Sequence, residues 1–343
     1  MAFSPYMNGM SAEQIRSGIQ SMDPGRRSSL ISRAFPGTPL PKGLTVAEAL
    51  HEAGANFNVT MAPQHTKNPV TGEWQESRKS VGLLRTDTGA EVGSATGSYG
   101  IIQSVDCFAA AQALVERGTL SLDFCQVVDG GAKVRLGGLI GSSTIYQASR
   151  PDDADILAHF VLFEANHSGA GKSTGQLYTL RLACFNGMTS KELAGQFGIA
   201  HYANGTKKML EASAALLHVH EAAVEEAAIF QRLALHELSL TRFREFAVDL
   251  LDDTRGFCDV DEDSKARVTR RVNDIEELEN YFLKGAGNAG RTHYDAYNAV
   301  TDWLTPRRER LKDAQAFAKR FESTTSGNAA TVRSRALNLL SRW

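Results

Sequence analysis

Residues 120–140 read LSLDFCQVVDGGAKVRLGGLI. Leu120, Leu122, Phe124 and Val128 alternate with polar or small residues, the two-residue period of a strand with one buried face. Asp129-Gly130 supplies a step that tolerates left-handed backbone, and KVRLGGLI runs back. This is a β-hairpin, and it sets the class of the domain around it. Two further strands follow. ILAHFVLFE at 156–164 is apolar on both faces, as a central, covered strand is, and QLYTLRLA at 176–183 alternates again.

Upstream, VGLLR and AEVGS flank the turn TDTG, which predicts a hairpin over 81–94. DCFAAAQALVERG carries Phe108, Ala111, Leu114 and Val115 on one helical face, with Asp106 to cap it and Gly118 to stop it. A capping box, Thr45 with Glu48, opens the short helix VAEALHEA. Another, Ser11 with Gln14, opens a small docking helix tethered by PGTPLPKG. From residue 205 the pattern is helical: over thirty residues pass without Gly or Pro, and further helices are expected at 240–252, 264–283, 292–304, 307–323 and 328–341. The expected fold is therefore α+β, a mainly antiparallel sheet with packed helices followed by a largely α-helical C-terminal half. Three regions are expected: residues 1–40 as helix and tether, 41–204 as the α+β core, and 205–343 as the helical region.

The 343 residues, 42% hydrophobic, suffice for one large or two moderate domains with a real core. No membrane-length apolar run or secretory signal is found, so a cytoplasmic protein is expected. Cys107, Cys125, Cys184 and Cys258 are widely spaced, without zinc-ligand spacing, and are read as reduced and buried. A net charge of −2 excludes a uniformly basic coat, but the charge is polarised: nine basic against three acidic residues over 303–343, and five against twelve over 245–281. Such polarity can serve subunit contacts.

Three apparent motifs fail on their context. GAGKST at 169–174 would need glycine where Asn166 stands, and a strand follows it where a phosphate loop requires a helix. The loop is then either a flexible connection, or a mobile segment whose His167 and Lys172 close on a polyanion. DVDEDS at 259–264 has Ser264 and Arg270 where a calcium loop needs glycine and a bidentate carboxylate, so Asp263 or Ser264 capping the next helix is the better account. His218 and His220, two apart on a helix, point to different faces and cannot grip one metal. No cofactor, metal or catalytic motif is expected, and the chain is read as non-enzymatic.

The remaining signal is a set of cations on strands. With Val134 and Leu136 facing the core, Lys133 and Arg135 share the opposite face, Arg181 has the same disposition on its own strand, and Arg78, Lys79 and Arg85 surround the first hairpin. Such a set is either an ordinary solvated face or a trough that tracks a single-stranded nucleic acid, with Tyr99 offering a stacking surface.

Five strings, in order, carry a resemblance: VGLLRTDTGAEVGSATGSYGIIQ, FVLFEANHSGAGKS, TLRLACFNGMT, IAHYANGTKKMLEA and RTHYDAYNAVTDWL. They resemble motifs of the phage/plasmid-like proteins that carry the domain of unknown function 932, over about residues 81–305. Ser168 stands where that family has the aspartate of an H-D-G-S motif, and Tyr294 is the aromatic before its Y-N-A-V motif. The resemblance implies DNA handling for a phage or plasmid, and the order of helix and strands is similar to that of single-strand annealing proteins. The expectation is an oligomeric single-stranded DNA-binding protein, as a ring or filament, that promotes annealing or protects DNA. Lys133, Arg135, Arg181, Arg78, Lys79 and Arg85 would hold phosphates, and Lys172 and His167 would close over the backbone. The alternative is a non-enzymatic interaction protein of a mobile element, such as an inhibitor of host defence, with its basic positions merely solvated.

Overall fold

The computed structural model describes residues 31–32, 35–147, 150–182, 186–187, 197–201, 219–254, 264–305 and 327–343, with Lys207, Ala316, residues 321–323 and Thr325 besides. The expected N-terminal helix, the DVDEDS string up to Asp263 and most of the helix expected at 307–323 lie outside these residues. The side chains of His218 and His220 do so too.

The hairpin of residues 120–140 is the seed of the larger sheet. β1 (Thr38–Pro39), β5 (Ser121–Val128), β6 (Lys133–Gln147), β7 (Arg150–Asn166), β8 (Lys172–Arg181) and β10 (Phe197–Ala200) follow one another across it, and β9 (Asn186–Gly187) also pairs with β8. Every pairing in this sheet is antiparallel. At the turn, Asp129 and Gly130 both take positive φ, at 47° and 69°, the backbone that the Asp-Gly pair tolerates. β2 (Val59–Lys67), β3 (Trp74–Arg85) and β4 (Glu91–Ala95) form a second antiparallel sheet, with the expected hairpin joining β3 and β4.

β7 is buried on both sides, as its unbroken apolar run requires. On one face Val161, Phe163 and Ala165 join Val134, Leu136 and Leu177 beneath the helices α1 (Val46–Glu52), α2 (Ser104–Cys107) and α3 (Ala109–Glu116). On the other, Phe160 and Leu162 join Phe124, Tyr178 and Leu180, and Phe35 and Phe321 cover them. Phe35 stacks on Phe124 at 4.4 Å and meets Phe160 and Phe321 edge-on.

Thr45 and Glu48 form the expected capping box of α1. Asp106 does not cap: the helix starts earlier, at Ser104, and is broken at Phe108 into α2 and α3. Gln103 precedes it and turns its amide to the backbone of Val59, accepting from N–H at 3.0 Å and donating to the carbonyl at 2.9 Å. This fastens the small sheet to α2.

The helical half comprises α4 (Val219–Leu235), α5 (Leu240–Thr254), α6 (Ser264–Lys284), α7 (His293–Leu304) and α8 (Asn328–Arg342). Phe230, Phe243, Phe246, Phe282, Tyr294 and Tyr297 fill its core, and Ile145 and Leu157 of the sheet belong to the same cluster. A second capping box, Thr292 with Asp295, starts α7. Cys107 and Cys125 are free and buried as expected, and burial pushes both thiols up to about 12.

The glycine-rich loop between β7 and β8, read from the sequence as a flexible connection or a mobile segment, is folded on itself and packed against β4. Asn166 accepts from the amide of Ser168 at 3.0 Å and donates to the carbonyl of Ala170 at 2.8 Å, which folds the loop on itself. The loop is then pressed onto β4, backbone to backbone. A Cβ on Gly93 would collide with the Ser168 carbonyl, and one on Gly169, which also has φ +83°, with that of Ser94. These two positions lock the sheets together. Gly93→Ala and Gly169→Ala are each expected to lower unfolding free energy by about 1–3 kcal/mol, as overpacking does; urea denaturation followed by circular dichroism checks this, and Gly97→Ala, with open space at its Cβ, is the control.

Candidate functional site

The strand cations were expected to converge into one trough. Lys133 and Arg135 do share a face of β6, as the two-residue period requires. In the register, Arg135 lies opposite Glu164, and Glu164 opposite Thr174. Arg181 is seven residues further along β8, whose pairing with β7 is unbroken, so it projects from the opposite face. Arg135 and Arg181 are separated by the thickness of the sheet and cannot line one groove.

Each is also enclosed. Arg135 is 5% exposed, and its Nε donates to Glu164 at 2.7 Å. Lys133 donates to Glu322 and lies 3.7 Å from Glu164. Burial pushes the Glu322 carboxyl up, yet Lys133 and Arg135 together hold it below its usual value. Arg181 is fully buried. It pairs with Asp155 and donates to Asn288 at 3.1 Å, and its guanidinium lies 5.5 Å from the ring of Tyr294, whose hydroxyl donates to Asp155 at 3.1 Å. A phosphate backbone cannot reach a cation in this setting. Arg181 ties the sheet to α7.

Beside it runs a buried polar chain. Thr179 donates to Glu226 of α4, so the Nδ1 of His159 donates to Thr179, at 2.9 Å, and its Nε2 lies 2.8 Å from Ser143 Oγ. Tyr297, wholly buried among these helices, has its hydroxyl pushed up by burial.

Three more expected residues are structural in their contacts. Arg85 grips Asp87 with two nitrogens at 3.0 and 2.7 Å, donates to the carbonyl of Gly130 at 3.0 Å and lies 3.8 Å above the ring of Phe57. It clasps one hairpin to the other. Tyr99 stacks on His201 at 4.9 Å, which occupies the ring face expected to receive a base. His167 is 1% exposed, and its Nε2 is 2.9 Å from Ser104 Oγ. Ser173 and His201 make a similar pair at 3.0 Å. These are the distances of a nucleophile and its base, but all four groups are sealed from solvent. The two histidines come from two of the motif strings, FEANHSGAGKS and IAHYANG, brought together by the packing of β8 and β10.

Arg78, Lys79 and Lys172 are different. They are exposed and form no ion pair among the described residues. Lys172 stands at the start of β8. Arg78 and Lys79 stand on the ribbon of β2 and β3, where the register jumps: Pro63 faces Val81 but His65 faces Glu76. The extra residues on β3 form a bulge, held by Ser77 Oγ accepting from the amides of Lys79 and Ser80 at 3.3 and 3.1 Å. Beyond the bulge Lys67 faces Trp74 across the ribbon, and Trp74 is 69% exposed. The sequence reading missed Trp74, although a lone tryptophan beside a KNPVTGE turn was a visible signal.

The architecture defines an α+β protein whose antiparallel sheet is tied to a helical bundle through buried polar contacts. The chain belongs to the family described as Domain of unknown function (DUF932), whose model matches residues 91–336. No curated protein and no solved structure matches the chain. The matched residues run from β4 into α8, and the β2–β3 ribbon precedes them. Among the described residues, no helix is long and apolar enough to cross a membrane, and no group of three His, Cys, Asp or Glu residues is placed to hold a metal ion.

Arg181→Met should cost about 3–5 kcal/mol, because Asp155 is left charged and buried, while Arg181→Met with Asp155→Leu should recover much of that loss; chemical denaturation of both variants decides it. A pH dependence also follows. Burial and then the neighbouring His201 lower the pKa of His167 to about 4, against 6.5 for a free imidazole, and burial lowers His201 as well. The unfolded chain binds more protons between these values, so the stability is fully present above about pH 6.5 and is lost as pH falls towards 4. The expected loss from His167 is about 3 kcal/mol. Urea unfolding at pH 7, 5.5 and 4.5 measures it, and the profile of His167→Gln should be flatter.

Proposed function

We propose that this protein binds single-stranded nucleic acid through the β2–β3 ribbon. The observation that carries the reading is Trp74, solvent-exposed and directly across from Lys67, with Arg78 and Lys79 exposed on the adjoining bulge and in no ion pair among the described residues. An exposed indole offers a base a stacking surface, worth about 1–3 kcal/mol per base, whatever the base is. Nearby ammonium and guanidinium groups take the phosphates and release counterions. Glu73 and Glu76 offset part of the ribbon's charge, so stacking has to contribute a large share of the affinity. The expected trough on the large sheet plays no part in this reading. A role in annealing or protecting strands for a phage or plasmid accords with the phage/plasmid resemblance, and binding that leaves Watson–Crick edges free accords with that role.

The measurement is titration of a labelled oligothymidylate by fluorescence anisotropy at several salt concentrations. Trp74→Ala is expected to weaken binding by about 5- to 150-fold, the equivalent of one stacked base. Arg78→Ala with Lys79→Ala is expected to flatten the log–log salt slope by about 1.4, at about 0.7 per phosphate on a single strand. Affinity that ignores salt and all three substitutions would sink the proposal. If no oligonucleotide binds but a protein partner is lost in Trp74→Ala, the ribbon is a protein-docking arm instead.

A further inference from the structure

A second feature is independent of the ribbon. A cavity of about 200 Å³ lies between the large sheet and the side chains of Phe321 and Thr325. Two adjacent cross-strand rows make its floor: Gln126, Arg135, Glu164 and Thr174 in one, and Phe124, Gly137, Leu162 and Gln176 in the next. Gly137 is required here, since a Cβ would run into the ring of Phe124 and the side chain of Leu162. Phe321 closes the cavity from above, and Lys172 contributes to its lining from the exposed start of β8.

Arg135 is incompletely satisfied within this wall. Its Nε is matched to Glu164 at 2.7 Å and its Nη1 to Gln126 at 3.4 Å. Its Nη2 is buried without a hydrogen-bond acceptor, and Glu322, the neighbouring carboxylate, stands 3.6 Å away. A buried donor pair on a charged group is costly when left unmatched, and native sites answer such groups with an acceptor. The local charge agrees. Among the described residues, Arg135 and Lys172 line the cavity against the single carboxylate of Glu164, and Lys133 pairs with Glu322, which leaves one positive charge over. The apolar share of the lining, from Phe124, Leu162 and Phe321, asks for a ligand body that is not itself polar.

We propose that this cavity binds a small monoanion with an apolar or aromatic body, an aromatic carboxylate in class. The carboxylate accepts from Arg135 Nη2 and from Lys172, the amide of Gln176 and the hydroxyl of Thr174 orient it, and the ring lies against Phe321 and Leu162. The volume limits the ligand to roughly ten non-hydrogen atoms at interior packing density. A polymeric nucleic acid does not fit, so this site stands or falls apart from the ribbon.

The test uses the full chain and benzoate as probe, with benzamide as its neutral isostere. Benzoate at 10 mM should raise Tm by roughly 2–4 °C, and benzamide should not. Lys172→Ala alters only an exposed side chain that forms no ion pair among the described residues, so it should fold normally and bind benzoate about tenfold more weakly. Thr174→Met, which fills the cavity, should abolish the shift. Absence of any shift with benzoate, phenyl phosphate and inorganic phosphate alike would overturn the proposal. An equal shift in the parent chain and both variants would overturn it too, because binding would then lie elsewhere.

Discussion

The ion pair of Arg181 with Asp155 holds the two halves of this protein in register. Both groups sit on β-strands, and Tyr294 and Asn288 of the helical half each add a hydrogen bond to the pair. A guanidinium that is fully buried must have its charge answered inside the fold, since the cost of desolvation exceeds what a single unassisted contact returns. The helical half therefore cannot slide on the sheet without giving up those hydrogen bonds and opening a buried ion pair to water. The Thr179, Glu226 and His159 chain adds the same constraint along the next stretch of the junction. Buried polar contacts of this kind fix one arrangement where apolar packing alone would tolerate several.

A second lock acts between the two sheets, and it is steric. Gly93 and Gly169 allow β4 and the loop after β7 to approach backbone to backbone, and Arg85 clasps the flanking hairpins from outside. The loop that suggested phosphate binding in the sequence is consumed by this contact. Its Gly169 permits that close approach. Ser168 takes part in the same internal turn, through Asn166.

What remains available for partners is what neither lock uses. The distal β2–β3 ribbon keeps Trp74, Arg78 and Lys79 in solvent, and the second sheet face keeps a cavity beside Arg135. The ribbon lies ahead of the residues matched by the family model, whereas the cavity lies within them.

Local chemistry made much of the fold legible in the sequence. Alternation gave β5 to β8, the Asp-Gly step gave their turn, Thr45 with Glu48 gave the start of α1, and the apolar run of ILAHFVLFE gave a central strand. These are interactions between residues close in the chain, and their periods survive without tertiary context. The placement of Lys133 and Arg135 on one face was legible for the same reason. Whether that face meets water was not, because Phe35 and Phe321, distant in sequence, cover it. Nor could pattern reveal that Arg181 projects from the opposite face, since the relation depends on the register of β6, β7 and β8 together. Periodicity within a strand says which residues share a side; only the packed structure says what stands opposite, and burial of a charge is decided by what stands opposite.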